Sequence, residues 1–489
     1  MEANNNKLSI DSRRLVPVVQ FGLWFFAFML LESFVNSSAA TLLGASAVNA
    51  AYSLGIFCTA TGLLVFGLAH ARSADLCKRA FIIVATACAV ATLSIPFAQN
   101  AGLLAFLSCA SLLSCGFVGG RVHLGMALEF GEGPWCGRAI GAATGIVVCV
   151  QFLVQNLAQG PALELVCIPA SLVALVFFDV RHQDRCMDAN TGASVRTWTH
   201  DPADKQRHGA YLVIAAAILT VIFTLNDSIV VPLDASGTVQ LFSGVRLFYA
   251  LGLVVSGLLF DLGPRFCFTF TTVAVQIMAV LVPYFLRTPE WYNLNMAIFY
   301  FYGGFYVMFV TAEFVIFSAQ MHHRALWAAL GRTTRSYVAA LSVIPVALLY
   351  DAFGVISLAA MAAVLNMALL AVCMADAMLL ARCDMPERQG LEPPDAAPQS
   401  IEDAQEPAAD PAKLSERDLD RYAQSIGLTG REAQVLVLLV ATEDKNDKMA
   451  NDLGISRRTL QRHIANIYDK AGVQSRIGLF QAVAAYVAG

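Results

Sequence analysis

The chain has 489 residues, of which 57% are hydrophobic and 14% are charged, and its formal net charge is −4. This length would ordinarily suggest about three soluble domains, but so small a charged fraction excludes an ordinary soluble globular protein. The composition is typical of a protein with several membrane-spanning helices. The 12 cysteines are scattered through apolar segments without a CxxC pair, which favours a packing role over metal binding or disulfides.

Apolar segments of membrane-spanning length run through most of the chain. About 20 apolar residues cross the hydrocarbon core of a bilayer. Residues 1–14 are polar and slightly basic, and the apolar run after them is too long for a signal-peptide core, so it predicts a retained spanning helix. The segments that we predict as helices are Leu15–Val35, Ala47–Ala69, Arg79–Ala98, Leu103–Leu124, Ala139–Ala158, Leu163–Phe178, Ala210–Val231, Val239–Phe260, Phe266–Phe285, Leu294–Gln320, Tyr337–Tyr350 and Val355–Leu380.

A polar stretch at residues 179–209, predicted as a central cytoplasmic loop, separates the first six segments from the last six. We therefore predict an all-α fold, in which residues 15–380 form a twelve-helix membrane bundle of six plus six helices. Residues 381–426 are acidic, rich in Pro and Ala and without apolar periodicity, and they predict a flexible linker. Residues 427–489 are predicted to form a small four-helix domain.

Lysine and arginine residues are unevenly divided between the two sets of loops. One side carries nearly all of them, and the other carries essentially only Arg287. Because cytoplasmic loops retain positive charge, we predict a multi-pass protein of the inner (cytoplasmic) membrane, in contact with the lipid bilayer. An even number of crossings places both termini in the cytoplasm. The basic residues assigned to that side are Lys7, Arg13, Arg14, Arg72, Lys78, Arg79, Arg138, Arg181, Arg185, Arg196, Lys205, Arg207, Arg265, Arg324 and Arg332.

Two short motifs relate the halves of the predicted bundle. The segments LLESFV (Leu30–Val35) and LNDSIV (Leu225–Val230) each place an acidic residue before a serine in the leading helix of a half, and GLLFDLGPR (Gly257–Arg265) follows the eighth helix. With its six-plus-six arrangement, the bundle resembles the major facilitator superfamily of transporters, which has a similar Gly/Asp/Gly/Arg loop signature and whose halves are repeats. The matching place at Gly67–Ser73 has no acidic residue, which counts against active transport.

Glu32, Asp227 and Arg246 lie within predicted membrane helices, where an ionisable side chain is costly unless it is paired or faces water. The resemblance implies that the leading helices line a central cavity, with Glu32 and Asp227 facing each other across it. We interpret these residues as a candidate ligand pocket open to the cell exterior. A buried salt bridge between helices, or a side chain that reaches the interface, is the alternative.

Aromatic residues are concentrated in the tenth predicted helix, in the stretch YFYGGFY. Tyr302 and Tyr306 could stack on a flat ligand, and packing between helices is the alternative. Glu313 lies further along, where it could pair with Arg332 or Arg335. The chain has no P-loop, dinucleotide glycine motif or nucleophile motif, so we predict that it is not an enzyme and uses no cofactor or metal.

The C-terminal domain begins with a helix-start signal. Thr429 and Glu432 are spaced as a capping box, and apolar residues after them form one face of a helix. A short second helix leads to a third, which is predicted to bury Leu460, Ile464 and Ile467 and to turn basic residues outward; a fourth helix follows. A helix, a short turn and a basic helix form the geometry that enters the major groove of DNA.

This domain resembles the LuxR-type helix-turn-helix family. The resemblance rests on Leu428-Thr429, Arg431-Glu432, Val435-Leu436, Asn446, Ala450, Leu453, Ile455-Ser456, Thr459, His463, Asn466-Ile467, Lys470, Gly472-Val473 and Arg476. It implies that Gln461, Arg462 and Ala465 face base edges, where Gln suits adenine and Arg suits guanine. The residues that it implies for phosphate contacts are Arg457, Arg458, Thr459 and Lys445. A solvated helix face is the alternative.

Together these features predict a one-component transcription regulator embedded in the membrane. An unknown small-molecule ligand would bind the transmembrane domain and alter how the tail binds double-stranded promoter DNA. The tail carries only a slight positive excess, which favours a dimer on DNA. A transporter of the major facilitator type with a regulatory tail is the alternative, and a membrane protein whose tail contacts other proteins is a second.

Overall fold

The computed structural model describes residues 12–44, 47–131, 133, 135–157, 162–182, 202–235, 244–263, 265–285, 291–384, 416–441, 449, 453, 457–471, 473, 479, 482–483 and 486. The chain divides into two compact units, Met1–Gln389 and Gly390–Gly489. Every regular element in the described residues is a helix, which confirms the all-α prediction.

Long helices make up the described part of the first unit. They are α1 (Ser12–Leu43), α2 (Val48–Arg72), α3 (Ala74–Ser94), α4 (Ala101–Phe130), α5 (Cys136–Leu157), α6 (Ala162–His182), α7 (Pro202–Ala235), α8 (Leu247–Leu262), α9 (Arg265–Phe285), α10 (Tyr292–Ser318), α11 (Arg324–Gly354) and α12 (Ile356–Ala381). Each predicted segment overlaps one of them. Between α11 and α12 only Gly354 departs from helical backbone, with a φ of +68° that favours glycine.

The first unit is consistent with a membrane domain. Within the described residues, 11 helices are long and apolar enough to cross a membrane, and α9 adds a shorter apolar stretch at Phe268–Met278. Large apolar side chains such as Ile83, Phe106 and Val173 lie exposed along the helices, as expected for a surface in contact with lipid. The count of twelve crossings stays a prediction.

Two helix pairs make the most extensive contacts between the first six helices and the last six. Helix α5 packs along α8, where a Cβ on Gly257 would lie 2.5 Å from the carbonyl oxygen of Gly137, so only small residues permit the approach. Helix α2 packs along α11, where the Tyr337 hydroxyl donates to Thr61 Oγ1 at 3.1 Å. A shift of six helices converts the pair α2–α11 into α8–α5, so the two contacts are equivalent under a six-plus-six repeat.

Asp261, inside the predicted loop signature, binds the start of α5. Its Oδ1 accepts from the backbone N of Gly137 and its Oδ2 from the backbone N of Arg138, both at 2.8 Å. A carboxylate at a helix N-terminus satisfies free amides and interacts favourably with the helix dipole. At the corresponding place after α2, Ser73 makes one weaker contact, accepting from Leu76 N at 3.3 Å.

Helices extend into the segment predicted as the central loop, residues 179–209. Helix α6 continues to His182 and α7 begins at Pro202, so the loop prediction was wrong at both ends. Asp179 stays buried in helical structure because Arg121 of α4 forms an ion pair with it at 3.1 Å.

The described helices of the second unit are α13 (Glu416–Ser425), α14 (Gly430–Ala441) and α15 (Arg457–Ala471). Their shared core contains Leu419, Tyr422, Ala423, Val435, Leu436, Leu439, Met449, Leu460, Ile467, Leu479 and Val483. The predicted second and fourth helices of the domain lie mostly outside the described residues.

Helix α13 corrects the linker prediction. It lies within residues 381–426, and a flexible linker was wrong for these 10 residues. Leu419, Tyr422 and Ala423 recur at spacings of three and four, so one face of an otherwise polar helix is apolar. Burial of that face in the core offsets the entropy cost of ordering the segment.

Candidate functional sites

Four charged side chains of the first unit lie close together, and we call them the central cluster: Glu32, Arg246, Arg332 and Arg335. Arg332 is buried, and the other three are partly buried. Glu32 of α1 interacts electrostatically with all three arginines. Arg332 and Arg335 are three residues apart on α11, a spacing that places them on one face of the helix. The cluster therefore connects α1, α11 and the start of α8 through charge.

Arg332 is held by contacts from α10 and α1. It is 3% exposed, its Nε donates to Thr311 Oγ1 at 3.0 Å, and its guanidinium lies 5.0 Å from the ring centre of Phe25. Thr311 belongs to a π-helical turn, Phe309–Glu313, that interrupts α10. Such turns are frequent at functional sites.

Aromatic side chains of α10 and α7 adjoin the cluster. The Tyr306 hydroxyl lies 2.7 Å from Thr220 Oγ1 and is also hydrogen-bonded to Arg335. Tyr302 is fully buried and stacks on Tyr306 with 6.2 Å between ring centres, and Phe223 stacks on Tyr306 at 4.9 Å. The hydroxyl of Tyr306 thus meets Arg335, and its ring belongs to a stack of aromatic side chains with Tyr302 and Phe223.

Arg246 comes directly before α8 and is the third cation of the cluster. Its Nη2 donates to Gln151 Oε1 on α5 at 3.1 Å. Its guanidinium carbon lies 5.9 Å from the ring centre of Tyr300 on α10, within the range of a cation–π interaction. These two contacts hold the guanidinium between α5 and α10.

Of the residues predicted to line a pocket, Glu32 interacts electrostatically with Arg246, and Tyr302 stacks on Tyr306, which is hydrogen-bonded to Arg335 of the cluster. Their role as a ligand pocket stays a prediction. Asp227 lies on α7, but its side chain is outside the described residues, so its position across a cavity stays a prediction.

Gly304 in the aromatic stretch serves helix packing. A Cβ there would lie 2.4 Å from the carbonyl carbon of Gly252 on α8, so the two backbones could not approach as they do with a larger residue. At this position the packing alternative holds.

Sequence reasoning missed Arg332 and Arg335 as members of the cluster. Arg332 was counted among the basic residues of the cytoplasmic side, in a stretch at residues 322–335 that could be a loop or a helix end. Helix α11 begins at Arg324, so Arg332 lies about two turns inside it and is buried. Two arginines three residues apart in an apolar helix would have indicated a shared polar face.

A second polar site in the first unit is a small cleft whose lining includes His208, Glu313, Cys373 and Asp376. His208 Nδ1 lies 2.6 Å from Asp376 Oδ1. The sequence analysis suggested that Glu313 could pair with Arg332 or Arg335. In the structure, Glu313 lines this cleft. No member of the central cluster lines it.

In the second unit, the buried carboxylate of Glu432 joins α14 to α15. Its Oε2 accepts from Thr429 N at 2.9 Å and Thr429 Oγ1 accepts from Glu432 N at 3.4 Å, which confirms the capping box. Lys470 Nζ donates to Oε2 at 2.7 Å and Asn466 Nδ2 donates to Oε1 at 3.2 Å. The hydrogen bond from Lys470, followed by that from the Thr429 amide, lowers the pKa of Glu432 to about 2.

Lys470 also stabilises the joint between α13 and α14. It donates to the carbonyl oxygen of Gly427 at 3.0 Å. Gly427 has a φ of +67°, its N donates to Gln424 O, and Leu428 N donates to Ala423 O. This pattern is a Schellman motif, in which the left-handed position favours glycine.

Helix α15 buries one face in the core of the second unit. Leu460 and Ile467 are fully buried and Ile464 is partly buried. At 3.6 residues per turn, positions 458, 462 and 465 lie about half a turn away from Leu460 and Ile467. These three positions therefore lie on the face of α15 opposite the core.

The residues predicted to contact DNA are only partly described. Thr459 is partly exposed at the start of α15. Those on α15 whose side chains are outside the described residues are Arg457, Arg458, Gln461, Arg462 and Ala465. Lys445 is itself outside the described residues.

A helix that buries one face in the small core of a helical domain is typical of the recognition helix of a helix-turn-helix DNA-binding domain. Residues 427–483 match the family model described as bacterial regulatory proteins, luxR family. The C-terminal unit therefore contains a LuxR-family helix-turn-helix domain, which indicates DNA binding and transcription regulation. No curated protein sequence matches the chain.

Proposed function

We propose that this protein is a membrane-embedded, one-component transcription regulator that senses a small molecule in its transmembrane domain. One observation carries the proposal: a LuxR-family domain shares a chain with 11 described helices that are long and apolar enough to cross a membrane. DNA binding requires a cytoplasmic tail, and the basic loops with an even number of crossings support an inner-membrane protein with both termini in the cytoplasm.

The transmembrane domain that we propose is a twelve-helix bundle of the major facilitator type. The equivalence of the pairs α2–α11 and α5–α8 supports two repeats of six helices. Helix α9 would supply the twelfth crossing. The pocket would lie at the central cluster, where side chains from both halves converge, and Glu32, Asp227, Arg246, Tyr302 and Tyr306 would line it.

On DNA, α15 would lie in the major groove with the face opposite its core toward the bases. The positions of Arg462 and Ala465, opposite the buried face, support base contacts for them and for the neighbouring Gln461. The residues proposed for phosphate contacts are Arg457, Arg458, Thr459 and Lys445. Two copies would bind paired half-sites, because one weakly basic domain has little affinity by itself.

Arg462→Ala tests the DNA assignment in the full chain. Chromatin precipitation from cells that produce the tagged protein should enrich discrete promoter fragments, which a gel shift then confirms, and Arg462→Ala should abolish both signals. Arg421→Ala is the matched control, because Arg421 is an exposed arginine on α13. Enrichment that Arg462→Ala leaves unchanged would reject the groove assignment. The absence of any enriched site with the unmodified protein would favour a tail that contacts proteins.

The Asp261 contact favours a second candidate, a transporter of the major facilitator type with a regulatory tail. Asp261 fixes the start of α5 at the loop signature of that superfamily. Uptake of labelled metabolites into proteoliposomes would separate the candidates. Uptake above that of protein-free liposomes would support the transporter. Uptake equal to that of protein-free liposomes would favour the regulator without transport.

A further inference from the structure

Positive charge exceeds negative charge in the central cluster. Three arginines face one carboxylate, Glu32, among the described side chains. Glu32 in turn acts electrostatically on Arg332 and on Arg335. If the Asp227 side chain were added, the arginines would still be in excess by one. Arginine does not lose its proton in proteins, so the positive excess persists and favours the binding of an anion.

Arg332 has donor capacity that the described residues do not use. Its Nε is bonded to Thr311, but its Nη2 is buried and has no hydrogen-bond partner among the described residues. A buried donor of a charged group costs free energy until an acceptor reaches it. Because Arg332 interacts with Glu32, Tyr249 and Tyr306, this group belongs to the interior of the cluster.

The surroundings of the cluster are aromatic. Phe25 lies against Arg332, and Tyr306 bridges Arg335 to the stacked rings of Tyr302 and Phe223. A guanidinium binds a carboxylate or phosphate oxygen through charge-assisted hydrogen bonds, and flat rings pack on a flat apolar group. A ligand that binds both the arginines and the aromatic rings therefore carries an anionic group on an apolar, aromatic body.

We propose that the central cluster is a binding site for a small organic anion, whose charged group is taken up by Arg332 and Arg335 and whose aromatic body lies against Tyr302 and Tyr306. This inference deepens the proposed function and rests on it for its regulatory meaning. Arg246, held by Gln151, adds to the field that attracts the anion. The headgroup of an anionic lipid has the same charged chemistry, so the test includes it as a source.

Matched probes test the site in the full chain, reconstituted in phosphatidylcholine nanodiscs. Benzoate carries a carboxylate on an aromatic ring, and benzamide has nearly the same shape without the charge. Calorimetry should show benzoate binding at least about tenfold more tightly than benzamide, as expected when a charge-assisted hydrogen bond is lost. This comparison needs no variant, so it decides even where a substitution prevents folding.

Variants on one helix then locate the site. Arg332→Gln should weaken benzoate binding about tenfold or more, and Arg332→Lys should restore part of the loss. Arg324→Gln, on the same helix but with its Nη2 bonded to Ala319 O, should leave benzoate binding unchanged. Equal affinity for benzoate and benzamide, or equal losses in Arg332→Gln and Arg324→Gln, would overturn the proposal.

A lipid arm separates the two sources of the anion. If the occupant is a headgroup, phosphatidylglycerol in the nanodiscs should raise the Tm of the unmodified protein but not that of Arg332→Gln, and it should compete with benzoate. If neither benzoate nor phosphatidylglycerol distinguishes Arg332→Gln from the unmodified protein, the site is not an anion site. Promoter binding measured in the same nanodiscs is an independent readout. If anion binding fails while promoter binding is intact, the ligand class is rejected and the regulator function stands. If the anion binds but no promoter is bound, the regulator function is rejected and the anion site stands.

Discussion

Glu432 in the C-terminal unit and Glu32 in the apolar unit are both carboxylates beside cations, but they differ in how many positive charges surround them. Glu432 receives hydrogen bonds from Lys470, Asn466 and Thr429, and one cation neutralises it. Glu32 faces three arginines. We expect a carboxylate whose charge is neutralised by its partners to stabilise the fold, and a cluster with an excess of positive charge to bind an anionic ligand. The predictions below test that distinction.

The largest effect is expected from Glu432→Ala. The substitution removes the carboxylate acceptor of Lys470 and of the Thr429 amide, and Lys470 keeps only its hydrogen bond to Gly427 O. Because Lys470 is also partly exposed, we expect a loss of about 2–3 kcal/mol in the stability of the C-terminal unit. Hydrogen exchange of the full chain should show faster exchange of α14 and α15 amides. Unchanged protection there would mean that Glu432 is not a structural anchor. Glu164→Gln, in the first unit, should leave that exchange unchanged.

Acid should reproduce part of that loss in the unmodified protein. The pKa of Glu432 is lowered to about 2 from 4.5, so the folded state favours the carboxylate. The resulting stability, roughly 2–3 kcal/mol, is fully present above pH 4.5 and is lost as the pH falls toward 2. Exchange of α14 and α15, corrected for intrinsic pH dependence, should rise in that window. Glu432→Gln should flatten the dependence, and a steep rise in that variant would assign it to another group.

Asp261 is a second matched carboxylate, now in the apolar unit. Asp261→Ala removes two backbone hydrogen bonds from the start of α5 and should cost about 1–2 kcal/mol. Ser73→Ala, at the corresponding place after α2, should cost less because Ser73 makes one long contact. Thermal inactivation in detergent and exchange of the first turn of α5 measure both. Equal losses in the two variants would show that Asp261 does no more than an ordinary cap.

Local patterns were readable from the sequence, and contacts distant along the chain were not. The capping box of Thr429 and Glu432 is visible because its partners are three residues apart. Lys470 is 38 positions away, so only the packing of α15 on α14 shows that it completes the network. The helices of the first unit were predictable for a similar reason. A long apolar run forms a helix because all of its backbone hydrogen bonds are made within the run itself.

The structure departs from the sequence predictions where charged or polar residues lie in helices. Arg332 was counted on the cytoplasmic side because basic residues near a helix end are expected outside the membrane. Partners on other helices make its burial tolerable, among them Thr311 and Phe25. The polar composition of Glu416–Ser425 likewise hid the apolar stripe of α13, which is stable only against the rest of its core.

Gly427→Ala tests the left-handed backbone conformation of Gly427, whose carbonyl oxygen accepts a hydrogen bond from Lys470. Alanine is strained at a φ of +67°, so we expect a loss of about 1 kcal/mol and weaker closure of the joint between α13 and α14. Gly430→Ala is the control, because no atom within 4 Å would meet the added Cβ and its φ is not in the left-handed region. Exchange of α13 amides should rise only in Gly427→Ala. A similar rise in both variants would show that left-handed geometry is not the cause.

The smallest predicted effect is a change in anion binding at the central cluster. Glu32 competes with a bound anion for Arg332 and Arg335, so Glu32→Gln should tighten benzoate binding by about threefold. Glu164→Gln is the control, because that carboxylate accepts from Gln155 outside the cluster. Calorimetry in phosphatidylcholine nanodiscs measures both. Weaker binding in Glu32→Gln would mean that Glu32 positions the arginines rather than occupying them, and Glu32 would then resemble Glu432 in its role.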